Sequence, residues 1–343
     1  MPTSSKKKPL GFFDRQKKKY EAFLGRRPHR SFRLTRRRDY IRPLALPGNI
    51  SFTAEVTGTL WKYKKIFGML AVIYVLLFAI LVGVQSQDTY TTLTDTLKQT
   101  SGDFFAGNWG AIGQASLLFL SIASFGVSTE STEAQQIFSV LVFLLIWLTT
   151  VWLLRNLLAG HKVKLRDGLY SAGAPIFAIA IIAVIIAIQL IPVALALIAY
   201  NAALSSGLLA GGAASMLFWI GAALLCVLSL YWVTSSLFAM IIVTLPGTYP
   251  YQAIKAAGDI MVGRRIKMLL RWIWMALMVV IFWLVIMLPI ILLDMGIKSL
   301  WPAVQWLPIV PVAVIFMASI STVWVSAYVY LLYRKVVDYV PAK

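Results

Sequence analysis

The densest chemistry in this sequence is cationic. Arg26, Arg27, Arg30, Arg33, Arg36, Arg37 and Arg38 fall within RRPHRSFRLTRRRDYIRP, residues 26–43, with Arg42 and His29 beside them. Guanidinium groups at this spacing grip phosphate, whether on a nucleic acid or on lipid headgroups. Arg264 and Arg265 form a second, smaller pair of anion contacts. Elsewhere the titratable groups that catalysis needs are sparse. With two histidines, His29 and His161, and a single cysteine, Cys226, no metal site of the usual nitrogen and sulfur ligands is expected. GLYSAG, residues 168–173, has serine-elbow residues at the wrong spacing, G-x-x-S-x-G, and reads as a loop of small residues at a helix entrance. The GxxxxGK[ST] phosphate loop does not occur. No catalytic residue and no cofactor is therefore expected.

A further set of polar residues lies inside apolar blocks. Gln189 precedes Pro192 by three residues, Thr234, Ser235 and Ser236 cluster, and Ser319, Ser321, Thr322 and Ser326 make a stripe. A proline within a helix frees the carbonyl four residues earlier, here Ile188 for Pro192, Val285 for Pro289 and Leu307 for Pro311. Gln189 and these three prolines are the candidate intramembrane polar and kink positions. They line a cavity if the chain is a permease. They are structural glue if the hydroxyls bond back to their own helices.

The elements that position these groups follow from hydropathy. Of 343 residues 59% are hydrophobic and 13% charged, and the mean hydropathy is +0.79. A helix needs about 20 mainly apolar residues to cross roughly 30 Å of hydrocarbon. Six segments meet that demand: 66–84, 137–154, 175–200, 216–245, 268–293 and 306–332. Arg271 is the one charged residue within them. Backbone in lipid must satisfy its own hydrogen bonds, so these are helices. The expected fold is an all-α integral membrane protein of six transmembrane helices in three hairpins. A seventeen-residue run at 111–127 is diluted by Gln114, three serines and two glycines, and is read as a helix on or dipping into the outer leaflet.

Orientation comes from the basic residues, which cytoplasmic loops retain. Residues 1–65 hold 18 Lys and Arg against four acids, and placing both termini in the cytoplasm puts 30 of the 32 basic residues on that side. The domains expected are a basic cytoplasmic tail at 1–65, a six-helix domain at 66–333 with an exoplasmic insert at 85–136, and a short cytoplasmic tail at 334–343. The first apolar block begins too late for a secretory signal, and the acids Asp14, Glu21 and Asp39 argue against a transit peptide. Within the tail, residues 11–24 suit an amphipathic helix at a lipid interface or a solvated arm. Trp61, Trp109, Trp272, Trp301 and Trp306 fall near span boundaries as interfacial anchors. Small-xxx-small spacing at Gly207, Gly211 and Ser215 permits close helix contact.

Short basic segments precede the odd-numbered spans at 55–65, 162–171 and 251–267, which suggests a hairpin fronted by a juxtamembrane amphipathic helix in each case. In the third, Gln252, Lys255 and Asp259 share one face and Ile254, Ala257 and Met261 another. The order "Pro, AIKAAGDIMVGRRIKMLLRW, long apolar helix" resembles the six-helix membrane domain attached to some bacterial glycerophosphodiester phosphodiesterases and to related membrane families without known function. The matching positions are Ala253, Ile254, Lys255, Gly263 and Arg264. The likeness covers the last two hairpins and implies architecture alone, since the family's catalytic barrel has no counterpart here. The expected function is that of a non-catalytic accessory, scaffolding or membrane-organising protein of a bacterial inner membrane, with a tail bound to anionic lipid or to another membrane protein. A permease or lipid-transport subunit is the alternative; nucleic acid is the less favoured partner of the tail.

Overall fold

The computed structural model describes residues 46–82, 132–206, 211–301 and 306–338. Among the described residues there are nine α-helices and no strand. They are α1 (Asn49–Lys62), α2 (Lys64–Leu81), α3 (Glu133–Leu158), α4 (Leu165–Ala172), α5 (Ile176–Ser205), α6 (Gly212–Ile242), α7 (Pro250–Met261), α8 (Arg265–Leu300) and α9 (Ile309–Val337). Six of them, α2, α3, α5, α6, α8 and α9, are long and apolar enough to cross a membrane. Each coincides with one expected span. The short helices α1, α4 and α7 stand before α2, α5 and α8.

α3 starts four residues before its apolar block, where a capping group sets the boundary. α3 begins at Glu133, where the Gln135 N–H donates to Thr132 Oγ1 at 3.4 Å and the Thr132 N–H donates to Gln135 Oε1 at 2.9 Å. This reciprocal pair satisfies two amides that a helix start leaves open. α8 covers 36 residues, about 54 Å at 1.5 Å per residue, so it tilts or protrudes from a hydrocarbon layer of about 30 Å. The turn between α7 and α8 passes through Gly263 at φ +74°. A side chain is strained there, which accounts for glycine at that position.

α9 is the hub, packing on α1, α2, α3, α6 and α8. Its small residues Ala318, Ser319, Ser321, Thr322, Ser326 and Ala327 are all buried. Small side chains let backbones approach closely, and in lipid that packing, rather than hydrophobic expulsion, holds helices together. The α5–α6 hairpin packs mainly on itself and on α7. Its outer surface, with α8, exposes residues such as Val184, Ile188, Leu224, Val227, Leu277 and Leu284. Apolar surface this extensive belongs against lipid or protein, not water.

Several expectations need correction. GLYSAG is not a loop: residues 168–172 lie within α4, and a Cβ at Gly168 would stand 2.9 Å from Leu153 of α3. The close approach is therefore at Gly168. At Gly211 an added Cβ meets nothing within 4 Å, and Gly207 lies outside the described residues. Pro311 is the third residue of α9, in a first turn with no i−4 bond to lose, so it makes no kink. Trp272 is not a boundary anchor but is buried, with its ring edge-on to Phe238 at 5.4 Å. α9 continues through Arg334 and Lys335, beyond the boundary expected at 333. α1 belongs to the bundle, since Phe52 and Val56 are fully buried. Arg26 to Arg38, the amphipathic segment at 11–24, the run at 111–127 and Trp109 lie outside the described residues.

Candidate functional site

Polar side chains within the spans bind helix to helix. Gln189 of α5 accepts from Ser236 Oγ of α6 at 2.7 Å, Tyr74 of α2 bonds Thr149 of α3 at 2.8 Å, and Trp283 of α8 donates to Ser321 of α9 at 2.8 Å. Thr322 and Ser326 bond back to the carbonyls of Ala318 and Thr322. Gln189 is thus a cross-link between spans. Pro192 and Pro289 lie inside α5 and α8; nothing brings them together with Gln189 and Pro311 into one site.

The basic groups converge instead. Arg155, in the last turn of α3, donates to the Thr244 carbonyl just past α6 at 2.9 Å. Lys335, in the last turn of α9, pairs with Glu55 of α1 at 2.8 Å. Arg271 of α8 donates to the Pro47 carbonyl just before α1, and Trp274 donates to Thr53 of α1 at 3.0 Å. These contacts bring the ends of α3, α6 and α9, the start of α8 and all of α1 to one face of the bundle. Arg265 stacks on the Tyr231 ring of α6 at 4.0 Å and donates to its carbonyl at 3.3 Å; Arg264 is the residue before α8. At the far end of α8, Lys298 and Asp294 form a pair at 2.7 Å, Asp294 being buried.

Arg271 is the site residue that composition alone did not single out. It is 8% exposed, and its guanidinium lies 5.7 Å from the Phe52 ring centroid. The Tyr328 hydroxyl of α9 stands beside the guanidinium and interacts with it. A charge this enclosed is usually matched by a carboxylate. Here the Pro47 carbonyl, the Phe52 ring and the Tyr328 hydroxyl surround it, and its signal in the sequence was its being the lone charge in a span.

A groove of about 590 Å3 lies beside this face, within the range of about 300–1,000 Å3 typical of ligand pockets. α1 and the start of α2 form its floor through Thr53, Thr57, Trp61 and Lys64. α9 forms the back through Phe316, Ile320, Ser321, Val323 and Trp324, and α2 and α8 form the sides. The hydroxyls on the wall are already engaged: Thr57 accepts from Trp324 Nε1 at 3.2 Å, Thr53 from Trp274, and Ser321 from Trp283. At the back Val323 and Ser321 are buried, while Phe316 and the rim residues Trp61 and Val285 are 40%, 69% and 65% exposed. The groove therefore opens sideways out of the bundle. Lys64 Nζ stands 4.7 Å over the Trp61 ring at that opening. Such an arrangement suits an apolar chain with an anionic head.

No protein-family model, curated protein or solved structure matches the chain.

Proposed function

We propose that this chain is a non-catalytic multipass protein of accessory, scaffolding or membrane-organising type in a bacterial inner membrane. Both termini lie in the cytoplasm. The basic tail, through Arg26, Arg27, Arg30, Arg33, Arg36, Arg37 and Arg38, rests on anionic headgroups or on a membrane-protein partner. The observation that carries this reading is the gathering of the basic helix ends on one face by Arg155, Lys335 and Arg271. Glu133 starts α3 and Asp294 lies near the end of α8, each at the opposite end of its helix from the arginine. A bundle whose basic helix ends gather on one face is oriented by the retention of Lys and Arg in the cytoplasm. Near an anionic leaflet each such cation contributes about 1 kcal/mol, so the tail and the basic face act together.

The test is purification of the intact protein in native-lipid particles, followed by reconstitution. Anionic lipid enriched over the bulk membrane, with no saturable solute uptake by the proteoliposomes, is expected. Saturable uptake overturns the reading in favour of a permease or lipid-transport subunit. That second reading draws on the lateral groove.

A further inference from the structure

We infer that the groove between α2 and α8 is a binding site for one acyl chain of an anionic phospholipid, whose phosphate is held by Lys64. This goes beyond the accessory reading, because it assigns a resident ligand to a cavity that the reading does not use.

Three observations converge on that occupant. The wall is mainly apolar, built from side chains such as Phe67, Met278, Phe282 and Phe316, and the hydroxyls of Thr53, Thr57 and Ser321 each accept from an indole N–H. The opening faces sideways, toward the region where a bilayer would surround the bundle, as the exposure of Trp61 and Val285 shows. The cation sits at one end: Lys64 is the first residue of α2, and exposed Lys62 and Lys65 flank it. An ammonium over an indole face keeps its N–H donors for an oxygen anion.

Length agrees. From Met278 to Val285 on α8, and from Lys64 to Ala71 on α2, the lining runs eight residues, about 10 Å from first to last at 1.5 Å per step. That is shorter than one leaflet of hydrocarbon, about 15 Å. The groove thus takes the part of a chain nearest the headgroup, and a cation at the mouth meets the phosphate rather than the methyl end. A zwitterionic lipid carries its own compensating cation and gains less from Lys64.

Gly68 supplies a clean test. It lines the groove, and a Cβ built on it meets nothing within 4 Å, so Gly68→Leu starts its side chain in open space and projects it into the groove. Full-length wild type, Gly68→Leu and Lys64→Gln would be reconstituted with phosphatidylglycerol or phosphatidylcholine carrying a photoactivatable group on one acyl chain. Cross-linked peptides are then mapped and quantified. In wild type, phosphatidylglycerol should label peptides of α2 and α8 around Gly68 and Val285 in preference to phosphatidylcholine. Lys64→Gln should cut that preference about fivefold, and Gly68→Leu should abolish groove labelling by either lipid while labelling of the α5–α6 surface persists. Equal labelling by the two lipids, or labelling unchanged in Gly68→Leu, overturns the inference. So does exclusion of lipid by the chain's own residues 11–24 or by a second copy, seen as a peptide cross-link into the groove. Thermal melts of each variant in detergent separate misfolding from loss of the site. Loss of lipid preference with the tail's enrichment intact would sink this site and leave the accessory reading standing.

Discussion

Arg271 illustrates what one residue can carry in this bundle. Its stem packs in the core while its head holds the Pro47 carbonyl and faces Phe52 and Tyr328. Arg271→Ala removes the stem and leaves that carbonyl unmet, so a loss of about 2–4 kcal/mol is expected. Arg271→Met keeps most of the packing and ends the desolvation of an unmatched charge, so it should melt within about 1 kcal/mol of wild type. Thermal denaturation in detergent distinguishes the two; equal losses would mean that the charge, not the stem, matters. Gln189→Leu belongs at the same scale. Ser236 Oγ already lies 3.4 Å from the Trp232 carbonyl and can fall back on it, so the cost is about 0.6 kcal/mol, the usual worth of a hydrogen bond between membrane helices. A larger loss would show that the α5–α6 contact depends on that bond.

At the scale of elements, the short helices do more than mark the entrance to a span. α1 buries Phe52 edge-on to Tyr328 of α9 at 4.9 Å and pairs Glu55 with Lys335. Phe52→Ala should cost about 3–5 kcal/mol and release α1, seen as faster proteolysis near Lys62 and Lys64 than in wild type. Unchanged cleavage would mean that α1 docks by other contacts. α4 meets α3 through Gly168, where a Cβ would lie 2.9 Å from Leu153 Cδ2 and 3.4 Å from Trp152. Gly168→Val therefore overpacks the joint by about 1–3 kcal/mol, whereas Gly173→Ala, with open space around it, should be neutral in the same melt. Equal effects would rule out close approach as the reason for glycine at 168. These positions were not legible in the sequence, because a close approach depends on where a second helix passes, and GLYSAG read alone suggested a loop.

For the whole molecule, the decisive measurement is sidedness. In a Cys226→Ala background, Lys162→Cys, between α3 and α4, and Ser299→Cys, in the last turn of α8, are both exposed. An impermeant thiol reagent applied to intact cells should label position 299 and leave 162 silent until the membrane is opened. The reverse pattern would invert the proposed orientation.

Hydropathy by itself determined the all-helical class and the six long apolar helices, because a span's length is set by the thickness of hydrocarbon and its backbone must bond internally wherever its neighbours lie. It also placed the short helices before α2, α5 and α8, since basic and amphipathic residues mark a chain about to enter lipid. What only the tertiary structure decided was which helix is central and where a ligand fits. An apolar side chain facing lipid and one facing another helix look alike in sequence, so the burial of α9 and the exposure of α5 and α6 could not be read there. Gln189 likewise suits a pathway or a cross-link equally well until Ser236 is seen beside it. The groove needs four helices, α1, α2, α8 and α9, drawn from opposite ends of the chain. Only their packing turns Lys64, one of many boundary lysines, into the cation at its mouth.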